Sequence, residues 1–249
     1  MRTRFFWWPA FALLLGCIAV LSVVMATRPG FPEAMEQVEG VSRVERLVSP
    51  RWPTCRIIHI ADYRWLTHDD FEADLREQDP DATDADIDGK YEATLATVRE
   101  VQANQLRLIH WLAKEQGVRT VYLEGLNAGN WTAYMAMISW ISRGSLDPMR
   151  VGAAGQAILA GDIETVAPAE EESPHRAADP LTVLAGEGVV LGALEGPAND
   201  AREEAIARRL AASGPLAVVV LGQGHDLSRH VEKLGNCEYL KVYVRGTGN

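Results

Sequence analysis

The sequence predicts an α/β domain with a mostly parallel sheet and flanking helices, a single domain behind an N-terminal membrane helix. Three observations carry this. Short apolar runs rich in β-branched residues recur, as in "RIIHIADY" and "PLAVVVLG". A long helix-period segment lies between two such runs, and an uncharged stretch opens the chain.

The opening segment carries Arg2 and Arg4 and then no charge from Phe5 to Ala26. As a helix these residues reach about 33 Å, enough for a hydrocarbon core of roughly 30 Å. A cleaved signal has a shorter apolar region, so residues 1–26 read as an uncleaved anchor, although Val24-Met25-Ala26 would pass as a weak cleavage site. Arg2 and Arg4 keep the N-terminus cytoplasmic and place the body on the extracytoplasmic, periplasmic side. With two basic residues and no acidic one in 1–26, the remaining chain has 22 basic against 34 acidic residues, a net charge of −12. Such a body repels nucleic acid and anionic lipid surfaces.

Residues 27–54 hold Pro29, Pro32, Pro50 and Pro53 and read as a stalk, with a short helix around Met35–Val48. The folded domain is then 55–249. "RIIHIADY" is a buried strand ending near His59, and residues 67–89 an acidic, proline-containing loop. From Tyr91 to Gln116 apolar residues recur at helical spacing, and Gly117 supplies the stop. "VRTVYLEGL" is the next strand, which makes a βαβ unit with parallel strands. Helices follow around 131–143 and 149–161, then a loop from Pro168 to Pro180. "GVVLGALEG" is a third strand, Ala201–Ala212 a helix, "PLAVVVLG" a fourth strand and "YLKVYV" a fifth. Cys55 and Cys237 each precede a strand and are either one disulfide closing a very long loop or two buried thiols.

In open parallel sheets ligands bind outside the carboxyl ends of the strands. His59, Glu124, Glu195 and His225 all fall at or just past predicted strand ends. Two imidazoles and a carboxylate are the set that binds a catalytic divalent metal while leaving a position open, so His59, Glu124 and His225 are the candidate ligands. Without a metal, a histidine held by a carboxylate can act as general base toward water. Glu195 is a candidate accessory acid or base. The remaining histidines, His68, His110, His175 and His230, read as solvated or packed side chains. "DADIDGK" matches the first aspartates and the glycine of a calcium loop, but Leu95 stands where the bidentate glutamate belongs, so a solvated acidic loop is preferred. Gly-Gln-Gly lacks the third glycine or Lys-Ser/Thr pair of a phosphate loop.

Together, "GQGH" after an apolar strand, "YLEG" at the end of another and "AREEAIARRL" between them resemble a superfamily. It joins TraB/PrgY pheromone-shutdown proteins, Tiki proteases, ChaN-type haem-binding lipoproteins and erythromycin esterases. The resemblance covers about residues 55–245. The family pattern has two Gly-x-x-His motifs with a glutamate between them: Gly222-Gln223-Gly224-His225 matches the later motif, Glu124 the glutamate, and Arg202-Glu203 the charged helix start. The first motif departs, with Arg56 at the glycine position while His59 keeps the histidine. The superfamily holds metal-dependent peptidases, metal-independent esterases and haem binders. With the N-terminal helix and the His/Glu set, the resemblance implies a membrane-anchored hydrolase of peptide or ester bonds, metal-dependent, acting on a peptide or small-molecule substrate. The alternative it implies is a haem- or iron-binding protein without catalysis, with Tyr63, His59 or His225 as axial ligand.

Overall fold

The structure, a computed structural model, describes residues 30–63, 67–169 and 197–247. Six strands form one sheet: β1 (Val41–Val48), β2 (Cys55–Asp62), β3 (Thr120–Leu123), β4 (Thr165–Pro168), β5 (Leu216–Gly222) and β6 (Cys237–Val244). Their spatial order is β1-β6-β2-β5-β3-β4. Every neighbouring pair is parallel except β1 with β6. The α/β class and the mostly parallel sheet therefore hold. β2 and β3 do run the same way, but β5 lies between them and pairs with both.

Seven α-helices are described: α1 (Phe31–Glu36), α2 (His68–Gln78), α3 (Asp84–Gln116), α4 (Trp131–Ser142), α5 (Gly152–Ala160), α6 (Pro197–Ala212) and α7 (Ser228–Leu234). The central strands are apolar on both faces because helices cover both. Ile58, Ile60, Val218 and Val220 pack with Leu108, Ile109 and Leu112 of α3 and with α4 and α5. Ile57, Val219, Leu221 and Tyr239 pack with Ile206 and Leu210 of α6 and Val231 of α7.

Several expectations are corrected. Residues 67–89 are not a loop. Thr67 and Thr83 cap α2 and α3, and Asp69, Asp70, Asp84 and Asp86 occupy the first turns, where carboxylates favour the positive end of the helix dipole. "DADIDGK" is thus the opening of α3, and the comparison with a calcium loop fails. Residues 31–48, read as part of a stalk, supply α1 and the edge strand β1. The pairing of β1 shifts register between Val41 and Arg43 and between Arg46 and Val48, which breaks the two-residue alternation in the sequence. β2 runs three residues past His59, which therefore sits inside the sheet. β4 falls in the stretch between the helix expected around 149–161 and the loop expected from Pro168, where no strand was expected, and is a four-residue edge strand ending in proline. Cys55 and Cys237 are register partners on adjacent parallel strands and form a disulfide.

Residues 5–26, "GVVLGALEG" and Glu195 lie outside the described residues, as does His175. Among the described residues no helix is long and apolar enough to cross a membrane.

Candidate active site

The carboxyl edge of the sheet collects the charged groups. Glu124 follows the last residue of β3, and its backbone N–H still donates to Val220 O of β5 at 3.1 Å. Its Oε2 accepts the Gly222 N–H at 2.7 Å, while Oε1 lies 2.9 Å from Arg202 Nη2 and 2.9 Å from His225 Nε2. A Cβ on residue 222 would meet Glu124 Oε2 at 3.3 Å, so glycine lets the carboxylate seat closely on the end of β5.

Gly222 opens the turn that carries His225, whose N–H donates to Gly222 O at 3.1 Å. The imidazole is clamped from both sides, with Nε2 facing Glu124 and Nδ1 facing Glu203 Oε1 at 3.0 Å. Glu203 also accepts from Asn199 Nδ2 at 3.3 Å and from the Asp226 N–H at 3.4 Å. Two carboxylate acceptors on one ring require both nitrogens to carry hydrogen, so the geometry selects the imidazolium. Burial alone would lower the His225 pKa, but the hydrogen bonds and charge of Glu124, with the hydrogen bond of Glu203, raise it above its ordinary value. Burial likewise pushes the Glu124 carboxyl up. His225, Arg202 and the Gly222 amide outweigh it and hold Glu124 well below the usual carboxylate range.

Asp62, the last residue of β2, is the register partner of Gly222. Gln105 of α3 donates to Asp62 Oδ1 at 2.8 Å and to Ala61 O at 3.0 Å. Burial raises the Asp62 carboxyl to about 6 against that hydrogen bond, and the charge of Glu124 adds to the rise.

The structure brings Glu124 and His225 into direct contact, as their positions at strand ends predicted. It places His59 elsewhere. His59 is fully buried, its Nδ1 2.8 Å from Tyr239 Oη and its Nε2 3.2 Å from Leu221 O. A carbonyl cannot donate, so Nε2 carries the hydrogen and Nδ1 accepts from the tyrosine, the neutral form. Burial, helped by the charge of Lys241, drives its pKa down to about 3. His59, Glu124 and His225 do not fit a shared metal ion, because the His59 lone pair is used by Tyr239 and the Glu124 carboxylate by two cations. Among the described residues no group of three or more His, Cys, Asp or Glu side chains is arranged to hold a metal. The three proposed haem ligands do not converge on an open face either: His59 is enclosed, His225 is clamped, and Tyr63 packs against the core.

Arg56, the departure from the family motif, lies at the opposite end of β2. It pairs with Glu238 at 2.5 Å, and its guanidinium sits 4.1 Å from the centre of the Phe31 ring. It ties α1 to the sheet and has no part in the carboxyl-edge cluster. His110 is an exposed partner of Asp162 at 2.7 Å, not a packed helix residue. His68 pairs with Asp88 at 2.9 Å and stacks edge-on to Tyr91. His230 is buried and lies 3.2 Å from Asp200.

Sequence reasoning missed Asp62 as a site residue, and it recognised Arg202 and Glu203 only as a charged helix start. Ending β2 at His59 hid Asp62, and nothing in "AREEAIARRL" marks which glutamate turns inward. No family model matches the chain, and no curated protein or solved structure matches it.

Proposed function

We propose that this protein is a hydrolase of peptide or ester bonds, anchored in the membrane through residues 5–26, with its active site at the carboxyl edge of the sheet. One observation carries the reading: at the carboxyl ends of neighbouring strands, Asp62, its carboxyl raised to about 6, is the register partner of Gly222, which opens the turn that carries the His225 imidazolium and whose N–H binds the Glu124 carboxylate. Such a pair offers a base and a fixed positive charge that coexist near neutral pH. Asp62 takes a proton from water, and the resulting hydroxide adds to the substrate carbonyl carbon. Asp62 then gives that proton to the departing amine or alkoxide as the carbonyl bond to it breaks, which returns Asp62 to its ionised state. The His225 imidazolium, both N–H groups held by Glu203 and Glu124, keeps its protons and offsets the negative charge of the intermediate. Glu124 and Glu203 hold the imidazole in place and keep it protonated, and Arg202 fixes Glu124.

The likeness of "GQGH" and Glu124 to the TraB, Tiki and erythromycin-esterase superfamily supports the same reaction class. The disulfide between Cys55 and Cys237 favours an oxidising compartment, which agrees with a body on the extracytoplasmic side.

The scheme requires a bell-shaped dependence of kcat/KM on pH. Activity rises through about pH 6 as Asp62 ionises, and falls again where His225 loses its proton, above the ordinary histidine value. Asp62→Asn is expected to lower kcat/KM by roughly 10²- to 10⁴-fold and to abolish the acid limb. A variant that keeps the acid limb near pH 6 removes Asp62 from the base role.

A further inference from the structure

Strand β6 carries two buried polar side chains that the reaction scheme does not use, and both reach the turn that carries His225. Cys237, Tyr239 and Lys241 alternate along the strand and so project from one face of the sheet, the face covered by α6 and α7. Lys241 is 5% exposed, and its Nζ donates to Gln223 O and to His225 O, each at 2.7 Å. Tyr239 is fully buried. Its hydroxyl donates to His59 Nδ1 at 2.8 Å and accepts the Leu227 N–H at 3.4 Å. His59 in turn grips Leu221 O of β5 at 3.2 Å.

The geometry points to Lys241 and Tyr239 as positioning residues that clamp the 223–227 turn and thereby fix the His225 ring between Glu124 and Glu203. A turn of this kind has few backbone partners of its own. The hydrogen bond from His225 N to Gly222 O closes it, but the carbonyls of Gln223 and His225 point away from the sheet ladder and are met by the ammonium. An ammonium is suited to this because it offers three donors from one atom and can satisfy two diverging carbonyls at once. Burial holds its pKa below the ordinary lysine value, and the carboxylates of Asp226, Glu45 and Glu203 counter only part of that effect. His59 acquires a role through the same network. It is not a ligand or base but the support that orients the Tyr239 hydroxyl, which explains why a histidine occupies the middle of a buried strand.

This inference takes from the reading above that His225 is the central group of the site, but its test does not depend on turnover. Both ring N–H groups of an imidazolium held between two carboxylates are shielded from exchange and give downfield proton resonances. In the intact full-length protein at pH 6, His225 is expected to show two such resonances, assigned by their loss in His225→Gln. Lys241→Met keeps the length of the side chain and removes the donors. It should retain the circular dichroism of the wild type and lose both resonances, with kcat/KM falling at least tenfold through kcat. Tyr239→Phe removes one hydroxyl, should weaken the resonances to a smaller degree, and carries the test if Lys241→Met does not fold. A folded Lys241→Met or Tyr239→Phe protein with both His225 resonances unchanged overturns the clamp. Loss of the resonances in a protein that hydrolyses neither peptides nor esters keeps the clamp and defeats the hydrolase reading.

Discussion

Glu124→Ala is expected to destabilise the protein by about 3 kcal/mol at pH 6, because it leaves the Arg202 guanidinium and the His225 imidazolium without the carboxylate they share. The Gly222 N–H would lose its acceptor as well. The sign of the pH dependence follows from His225. Its folded pKa is raised, so the stabilisation from its pairing is complete below the ordinary value of 6.5 and is lost as pH rises through the higher folded value. The gap between wild type and Glu124→Ala should therefore narrow above that point. It should not close, because Arg202 keeps its charge. The depressed pKa of Glu124 acts at the other end: its contribution is present above the ordinary value of 4.5 and fades as pH falls below it. Urea unfolding of both proteins from about pH 2 to 9 checks each limb. A difference that stays flat from pH 6 to 9 would show that His225 is not paired as an imidazolium.

Loss of the disulfide should have an effect of similar or greater size. Cys55 and Cys237 are 182 residues apart in sequence, and in the chain-entropy model a cross-link closing so long a loop stabilises the fold by up to about 5 kcal/mol. The double variant Cys55→Ser with Cys237→Ser should therefore unfold at a much lower urea concentration. The bond joins β2 to β6 at the amino end of the sheet, so the carboxyl edge should remain assembled in the folded fraction. The measurement is the unfolding midpoint with and without reductant. Wild type should move to the midpoint of the double variant on reduction, and the double variant should not respond. A wild-type midpoint insensitive to reductant speaks against the cross-link in the folded protein.

The parts of the fold that can be read from sequence are those where local pattern and tertiary role agree. "RIIHIA" and "LAVVVLG" are apolar on both faces because helices cover both sides of the central strands, and such runs read as strands at once. Long α3 is equally plain from its spacing and from Gly117, which ends it in the left-handed conformation at φ 71°. β1 is opaque because its bulges spoil the alternation, and the acidic segment before Tyr91 is opaque because carboxylates at helix starts resemble a solvated loop. At the site, Glu124 is visible because it directly follows an apolar run, and His225 because it follows one across the short turn Gly222-Gln223-Gly224. Their partners are not. Glu203 and Arg202 belong to a helix with many charges, and only its docking beside the end of β5 distinguishes them. His59 misled for a physical reason: a neutral, doubly hydrogen-bonded imidazole can sit inside a strand, where sequence offers no sign of the tyrosine that accommodates it.

The central claim is that Asp62 and His225 together form a hydrolytic centre. Its most direct test is kcat/KM of the full-length protein on a panel of peptide and ester substrates, for wild type, Asp62→Asn, His225→Ala and the double variant, each shown to be folded by circular dichroism. The account predicts turnover by wild type on at least one class. Each single variant should lose at least about 100-fold, and the double variant little more, because groups acting as one unit are strongly non-additive. Folded His225→Ala protein with undiminished turnover would contradict it.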